Sequence, residues 1–421
     1  MPRLLFSISV VAALLLLTAA SATAAPNRMH LPNGPIAISQ KTVALLDVPL
    51  IPQATCCWCW AASGDMVMTY TGHPTPQCQQ AGYQFNQPNC CNSPTPGPCV
   101  SGGIVEIAHY GYTFQQTAPS TALTPAQIEN EISTRHMPWV LNPHGPNFGH
   151  VTVGIGYETF FGKLTMVAIN DPWPPGVGDF YWESYDSYKC GFWGGVCRTE
   201  GYDLYEIVPP PLPKPKIPLL AQYQFKIPPE EFEAALAGDP DPTRAAQAAL
   251  PVLAELVTRE TAPRLKIESP ENVARAQLGS PVQEFNVSIE RLRGFKPGGS
   301  AEALVQQVPG MMVPLMIGGR ARAVIRLQSE GGRWKFATFG GPALATAWQR
   351  FGKGEMLVEL EGLELMFAGR RAGGQVFLTA LFSEPQLGIE AGREQSAGDV
   401  FARVAATAAS QRPNINEPQR R

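Results

Sequence analysis

The sequence predicts an α+β protein in two unlike parts, and three observations carry that expectation. All nine cysteines lie between Cys56 and Cys197. A proline-dense stretch, Val208–Pro218, follows them. Beyond it, helical and strand-like patterns succeed one another with no cysteine. A chain of 421 residues is long enough for two hydrophobic cores. At 44% hydrophobic and 16% charged it is not a wholly disordered chain, and 41 prolines and 40 glycines without a period exclude collagen. The net charge of −3 argues against a dedicated nucleic-acid binder. It conceals a split: residues 26–207 carry 6 basic against 13 acidic side chains, and residues 208–421 carry 25 against 22.

Residues 1–24 have the three-part pattern of an export signal: Arg3, an apolar run Leu4–Leu17, and small residues ending in Ala22-Thr23-Ala24. The apolar run of about 14 residues falls short of the roughly 20 that cross a bilayer. No later segment is long and apolar enough either. The mature chain is therefore expected to be exported, secreted or periplasmic, without a membrane span, in a compartment where disulfides persist. Residues 25–207 then form the cysteine-rich part, and residues 208–218 an extended linker. Residues 219–409 are expected to be a separate α+β domain of unknown role, and residues 410–421 a disordered tail.

In that second domain a helix is expected from Pro228-Pro229 to Gly238, and another over Thr243–Arg259, bent at Pro251. Phe285–Ile289 and Met311–Ile317 read as strands. Ala321–Leu327 turns at Glu330-Gly331-Gly332 into Trp334–Phe339. Met356–Phe367 reads as one strand, pairing with Gln375–Phe382 across Gly369–Gly374. Asp399–Ala409 reads as a closing helix.

The segment that carries chemistry is Gln53-Ala54-Thr55-Cys56-Cys57-Trp58-Cys59-Trp60-Ala61-Ala62-Ser63. A helix is expected over Trp60–Thr71, stopped by Gly72 and Pro74. A cysteine at a helix N-terminus meets the positive end of the macrodipole and unpaired N–H groups, and both favour the nucleophilic thiolate. Cys56, Cys57 and Cys59 all crowd that end. Downstream, His150 opens an alternating strand through Tyr157, and a second apolar run, Val167–Ile169, ends in Asn170-Asp171. Adjacent strands would bring His150 and Asp171 within hydrogen-bonding reach, giving a nucleophile, a base and a group to orient the base.

These residues resemble papain-like cysteine peptidases (clan CA), in particular the compact bacterial branch that includes secreted effector proteases. In that family a glutamine precedes the nucleophile by six positions and Trp-Ala follows it, as Gln53, Cys59, Trp60 and Ala61 do here. A structural cysteine commonly lies three residues before the nucleophile, where Cys56 stands. His150–Tyr157 is similar to the family's His-x-Val-x-x-x-Gly-Tyr strand, and Asp171-Pro172-Trp173 to its Asn/Asp-x-Trp element. Cys90-Cys91-Asn92, Cys99 and Gly102-Gly103 before Ile104–Tyr112 resemble its Cys-Asn-x-Gly-Gly segment and following helix. The resemblance covers about Val43–Val208. It implies a papain-like fold of helix plus antiparallel sheet and a peptide or protein substrate. It casts Cys59 as nucleophile, His150 as base and acid, and Asp171 as its orienter. Gln53 and the Cys59 N–H become the oxyanion donors, and Trp173 shields the His–Asp bond. Trp60 is a supporting residue. No cofactor and no metal are expected.

The sequence departs from the family in placing Cys57-Trp58 where Gly-Ser usually precedes the nucleophile. It also lacks room between the signal and Gln53 for the usual inhibitory pro-segment. Cys57 is the rival nucleophile, His144 in the expected turn Asn142–Gly145 the rival base, and Asn170 the rival orienter. His30, His73, His109 and His136 read as structural or solvated, and Glu129 and Glu131 as a solvated helix face. With Cys59 free, Cys56, Cys57, Cys78, Cys90, Cys91, Cys99, Cys190 and Cys197 are an even set of disulfide candidates, with pairing open. The export signal favours disulfides over a zinc site. The same triad also serves acyl-transfer relatives, a transglutaminase or a cell-wall amidase. A catalytically inactive binding module with Trp58 in the cleft is a third reading. The C-terminal domain is expected to bind substrate, a surface or the catalytic cleft itself.

Overall fold

Helix α1 (Cys59–Tyr70) begins one residue before the predicted start, so that Cys59 is its first residue, and all but two of its residues are buried. The computed structural model describes residues 30–31, 34–35, 40–145, 148–191, 199–211, 219–224 and 227–410. The expected signal, most of the proline-rich stretch, Cys197 and all of the expected tail after Ser410 lie outside these. The chain separates into two units, Met1–Ile38 and Ser39–Arg421. In the first, His30–Leu31 pairs antiparallel with Gly34–Pro35.

In the second unit, α1 can pack tightly because residue 64 is glycine. A Cβ there would lie 2.7 Å from Gln80 Oε1, and Gln80, on helix α2 (Gln77–Phe85), donates to the Ala61 carbonyl at 2.8 Å. Against α1 runs an antiparallel ladder whose strands are β1 (Gln40–Leu45), β2 (Thr113–Gln116), β3 (Trp139–Gly145), β4 (Thr152–Phe160), β5 (Lys163–Asp171), β6 (Asp179–Ser184) and β7 (Thr199–Val208). The order of pairing is β2–β7–β3–β4–β5–β6, with β1 also on β4. Every residue of β4 is buried. Gly154 is required there, since a Cβ would sit 2.2 Å from the Trp139 ring.

Beyond β8 (Leu219–Gln224), which pairs with β1, come helices α3 (Pro229–Ala237) and α4 (Pro242–Glu255). Proline at the first turn of each, and Asp241 capping α4, mark the starts. The main strands that follow are β9 (Val282–Val287), β10 (Gln306–Ile317), β11 (Arg320–Glu330), β12 (Arg333–Gly340), β13 (Met356–Leu360), β14 (Leu365–Ala372), β15 (Gln375–Ala380) and β16 (Glu394–Ser396). They pair in the order β12–β11–β10–β9–β13–β14–β15–β16, with β9–β13 parallel. Helix α5 (Pro342–Phe351) packs on β11 and helix α6 (Ala397–Ser410) closes the chain.

The fold is α+β as predicted. Register pairs Thr338↔Glu183, Phe339↔Trp182 and Gly340↔Tyr181 join β12 to β6, so among the described residues the two ladders form one sheet. A shared core follows from that join: Leu45, Trp139 and Ile169 pack in one cluster with Leu253, Val313 and Phe339. The described parts on either side of the proline-rich stretch therefore belong to one compact unit, Ser39–Arg421.

Several local expectations are corrected. Met356–Phe367 is two strands, because Gly362 at φ +73° turns the chain back between β13 and β14. Ile289 opens a short helix instead of extending β9. Of the helix expected over Ile104–Tyr112, a single 3₁₀ turn forms, Ile107–Tyr110. The backbone of His144 lies in β3 and not in a turn. Glu131 is buried and ion-paired to Arg135 at 3.2 Å, where a solvated face was expected.

Candidate active site

Three elements converge on the thiol. α1 delivers Cys59 at its first residue. Ser63, one turn along, donates to the Val151 carbonyl at 2.9 Å and so fixes the helix against the chain next to His150. His150 stands just before β4, and Asp171 ends β5, its antiparallel partner. His150 Nε2 lies 2.8 Å from Asp171 Oδ1. The same carboxylate oxygen accepts the Trp173 N–H at 2.8 Å, which fixes its rotamer. The imidazole's other nitrogen, Nδ1, faces Cys59 and Glu364: one donor atom from each of the three residues lies within 4.8 Å of the other two.

Glu364 is the residue that sequence reasoning missed. It ends the turn between β13 and β14, and its Oε1 lies 3.0 Å from His150 Nδ1. Its Oε2 accepts from Gln53 Nε2 at 2.6 Å, and its main-chain carbonyl accepts the Trp173 indole N–H at 2.6 Å. Gln53 also donates to the Thr55 carbonyl at 2.8 Å. Cys59, His150, Asp171, Gln53, Trp173 and Glu364 are all buried.

Burial by itself would push His150 down. The charges of Asp171 and then Glu364 outweigh it and hold the ring protonated well above the ordinary histidine range. Burial, reinforced by Glu364 and only partly opposed by His150, pushes the Cys59 thiol up to about 11. The expectation that the helix terminus favours thiolate is thus corrected for this arrangement: removal from water and an adjacent carboxylate outweigh the macrodipole.

The other predicted residues fall into place around this centre. Asn170 donates to the Val48 carbonyl at 3.1 Å and accepts from Arg264, so of these two neighbours it is Asp171 that meets the imidazole. Trp58 and Trp60 are buried, and the Trp58 indole donates to the Cys99 carbonyl at 2.8 Å; it is part of the core. Cys57, the rival nucleophile, is disulfide-bonded to Cys56. Cys78 pairs with Cys91, Cys90 with Cys99, Cys190 is also disulfide-bonded, and Cys59 is the free cysteine among the described residues. His109 stacks on Tyr83, and His136 lies against the Ser133 carbonyl. Cys59, His150 and Glu364 form a set whose donor atoms are near enough to share a metal ion. Behind Asp171 a cavity of about 40 Å³ is lined by Trp173, Asp179, Tyr181, Arg326 and Met366 among others, large enough for water.

Residues 45–193 match the Peptidase_C39 like family, which is consistent with a papain-like cysteine peptidase and suggests peptidase chemistry. The match ends ahead of the C-terminal half, which is not recognised. No curated protein and no solved structure matches the chain. Among the described residues no helix is long and apolar enough to cross a membrane.

Proposed function

We propose that the protein is an exported cysteine endopeptidase in which Cys59, His150 and Asp171 are the triad and Gln53 an oxyanion donor. The observation that carries this reading is the imidazole of His150, set between the one free thiol among the described residues and a carboxylate at 2.8 Å. In the working pair His150 holds its proton as imidazolium beside the Cys59 thiolate, whose sulfur bonds to the scissile carbonyl carbon. The negative oxygen that forms meets Gln53 Nε2 and the first N–H groups of α1. The carbon–nitrogen bond breaks as Nδ1–H protonates the leaving amine. Water then adds to the thioester, giving its proton to His150, and the carbon–sulfur bond breaks to release an acid and the free thiol. Asp171 stabilises the imidazolium that recurs in this cycle.

The test is hydrolysis of fluorescently labelled casein, together with prolonged incubation with an epoxide-type thiol-peptidase inhibitor. Stoichiometric labelling at Cys59 and casein cleavage are expected, both lost in Cys59→Ala. Cleavage that survives Cys59→Ala would refute the assignment.

A further inference from the structure

The chemistry above needs a peptide carbonyl where a side chain of the protein already sits. In an acyl-transfer site two donors define the place of the scissile group: the oxyanion donor and the acid that protonates the leaving nitrogen. Here those donors are Gln53 Nε2 and His150 Nδ1, and both are engaged by the two carboxylate oxygens of Glu364, at 2.6 and 3.0 Å. A carboxylate is also the product of peptide hydrolysis, so Glu364 presents to the site the group that a cleaved peptide would leave there.

The segment that carries it is held from both sides. Leu360, Leu363 and Leu365, flanking the glutamate, are buried in the C-terminal core with Phe367 and Leu378. On the other side the Trp173 indole grips the Glu364 carbonyl at 2.6 Å. Glu364 itself sits at φ +50°, a left-handed conformation that a non-glycine residue adopts only where its surroundings impose it. A second buried carboxylate of the C-terminal half, Glu384, accepts the N–H of Cys56, close to the nucleophile in sequence.

Resting on the peptidase reading, we propose that the β13–β14 turn is a built-in plug: Glu364 occupies the scissile-carbonyl site, the structure is a latent form, and turnover requires this turn to leave the cleft. The electrostatics agree. A working cysteine peptidase pairs imidazolium with thiolate, whereas here Glu364 supplies the counter-charge to His150 and its proximity raises the thiol. The plug therefore blocks both access and ionisation.

The experiment compares the full-length exported protein with Glu364→Ala and the near-isosteric Glu364→Gln. Folding is checked by circular dichroism, and the site is read in two ways. One is the rate of Cys59 alkylation by iodoacetamide, located by peptide mapping, and the other is hydrolysis of labelled casein. Loss of the charge is expected to raise the alkylation rate of both variants by about tenfold or more, the effect of lowering the thiol pKa by about one unit. Casein hydrolysis should rise with it, most in Glu364→Ala. Alkylation at or below the wild-type rate in both variants overturns the plug, and so does casein hydrolysis that falls in Glu364→Gln, which would make Glu364 part of the machinery. Faster alkylation with no casein hydrolysis in any of the proteins would keep the plug and sink the peptidase reading. Equal hydrolysis by all three with unchanged alkylation would do the reverse.

Discussion

Replacing Asp171 by asparagine should lower the pKa of His150 while leaving the site's shape intact. Asp171 Oδ1 accepts from both His150 Nε2 and Trp173 N–H, each at 2.8 Å. An asparagine oxygen can accept both bonds, so the substitution removes the charge and little else. Hydrogen bonds to charged groups contribute about 1.5–3 kcal/mol against about 0.5–1.5 kcal/mol for neutral ones. The difference, about 1–2 kcal/mol, is an upper bound on what the lost charge takes from the imidazolium form. Glu364 stays on the other ring nitrogen in both proteins, so the comparison isolates Asp171. The titration can be followed at the ring carbon between the nitrogens by NMR of protein with ¹³C-labelled histidine, independently of activity. Casein hydrolysis should fall about tenfold in parallel. If His150 titrates at the same pH in both proteins, Asp171 is not its charge partner and the triad assignment fails.

Two further outcomes follow from buried charge. Arg326 makes a bidentate contact to Glu284, Nε–Oε1 at 2.9 Å and Nη2–Oε2 at 2.8 Å, with both side chains buried. Arg326→Met should cost about 3–5 kcal/mol in urea unfolding, because Glu284 is left charged and unpaired, and adding Glu284→Leu should recover much of that loss. Asp179 is pushed up to about 7, chiefly by burial, against its ordinary 3.8, while it accepts N–H groups of Phe180, Ala343 and Leu344 at 3.2–3.3 Å. The folded state thus binds a proton that the unfolded state has lost between about pH 4 and 7. Its stabilising contribution is present at low pH and disappears as pH rises through that window, by up to about 4 kcal/mol. Asp179→Asn should flatten this part of the stability–pH curve, and parallel curves for wild type and variant would refute the shift.

Much of the candidate site was legible because its chemistry is local in sequence. Gln53, Cys59 and the Trp60-Ala61 that follows lie within one segment, and a helix that starts at its own reactive residue announces itself by composition. His150 and Asp171 were readable for a different reason: each sits at an end of an apolar strand, and neighbouring antiparallel strands place such ends side by side. The even cysteine set was a counting argument, whereas pairings such as Cys78–Cys91 and Cys90–Cys99 depend on loop geometry that counting does not supply.

What escaped was whatever depended on contact across the sheet. Met356–Phe367 is apolar enough on both faces to read as one buried strand, and only packing decided that it folds back at Gly362. Three glutamates in that buried run, Glu359, Glu361 and Glu364, were the available cue, but nothing in their spacing points to a partner. Glu364 lies 311 residues from Gln53 and 214 from His150. It reaches them because β6 and β12 zip the two halves into one sheet. The sequence by itself determined the ingredients: a thiol at a helix start, a histidine and an aspartate at strand ends, and disulfides drawn from the remaining cysteines. Only the tertiary structure decided that the thiol is pushed up and that a carboxylate meets both Gln53 and His150, since both depend on burial and on Glu364 arriving from far along the chain.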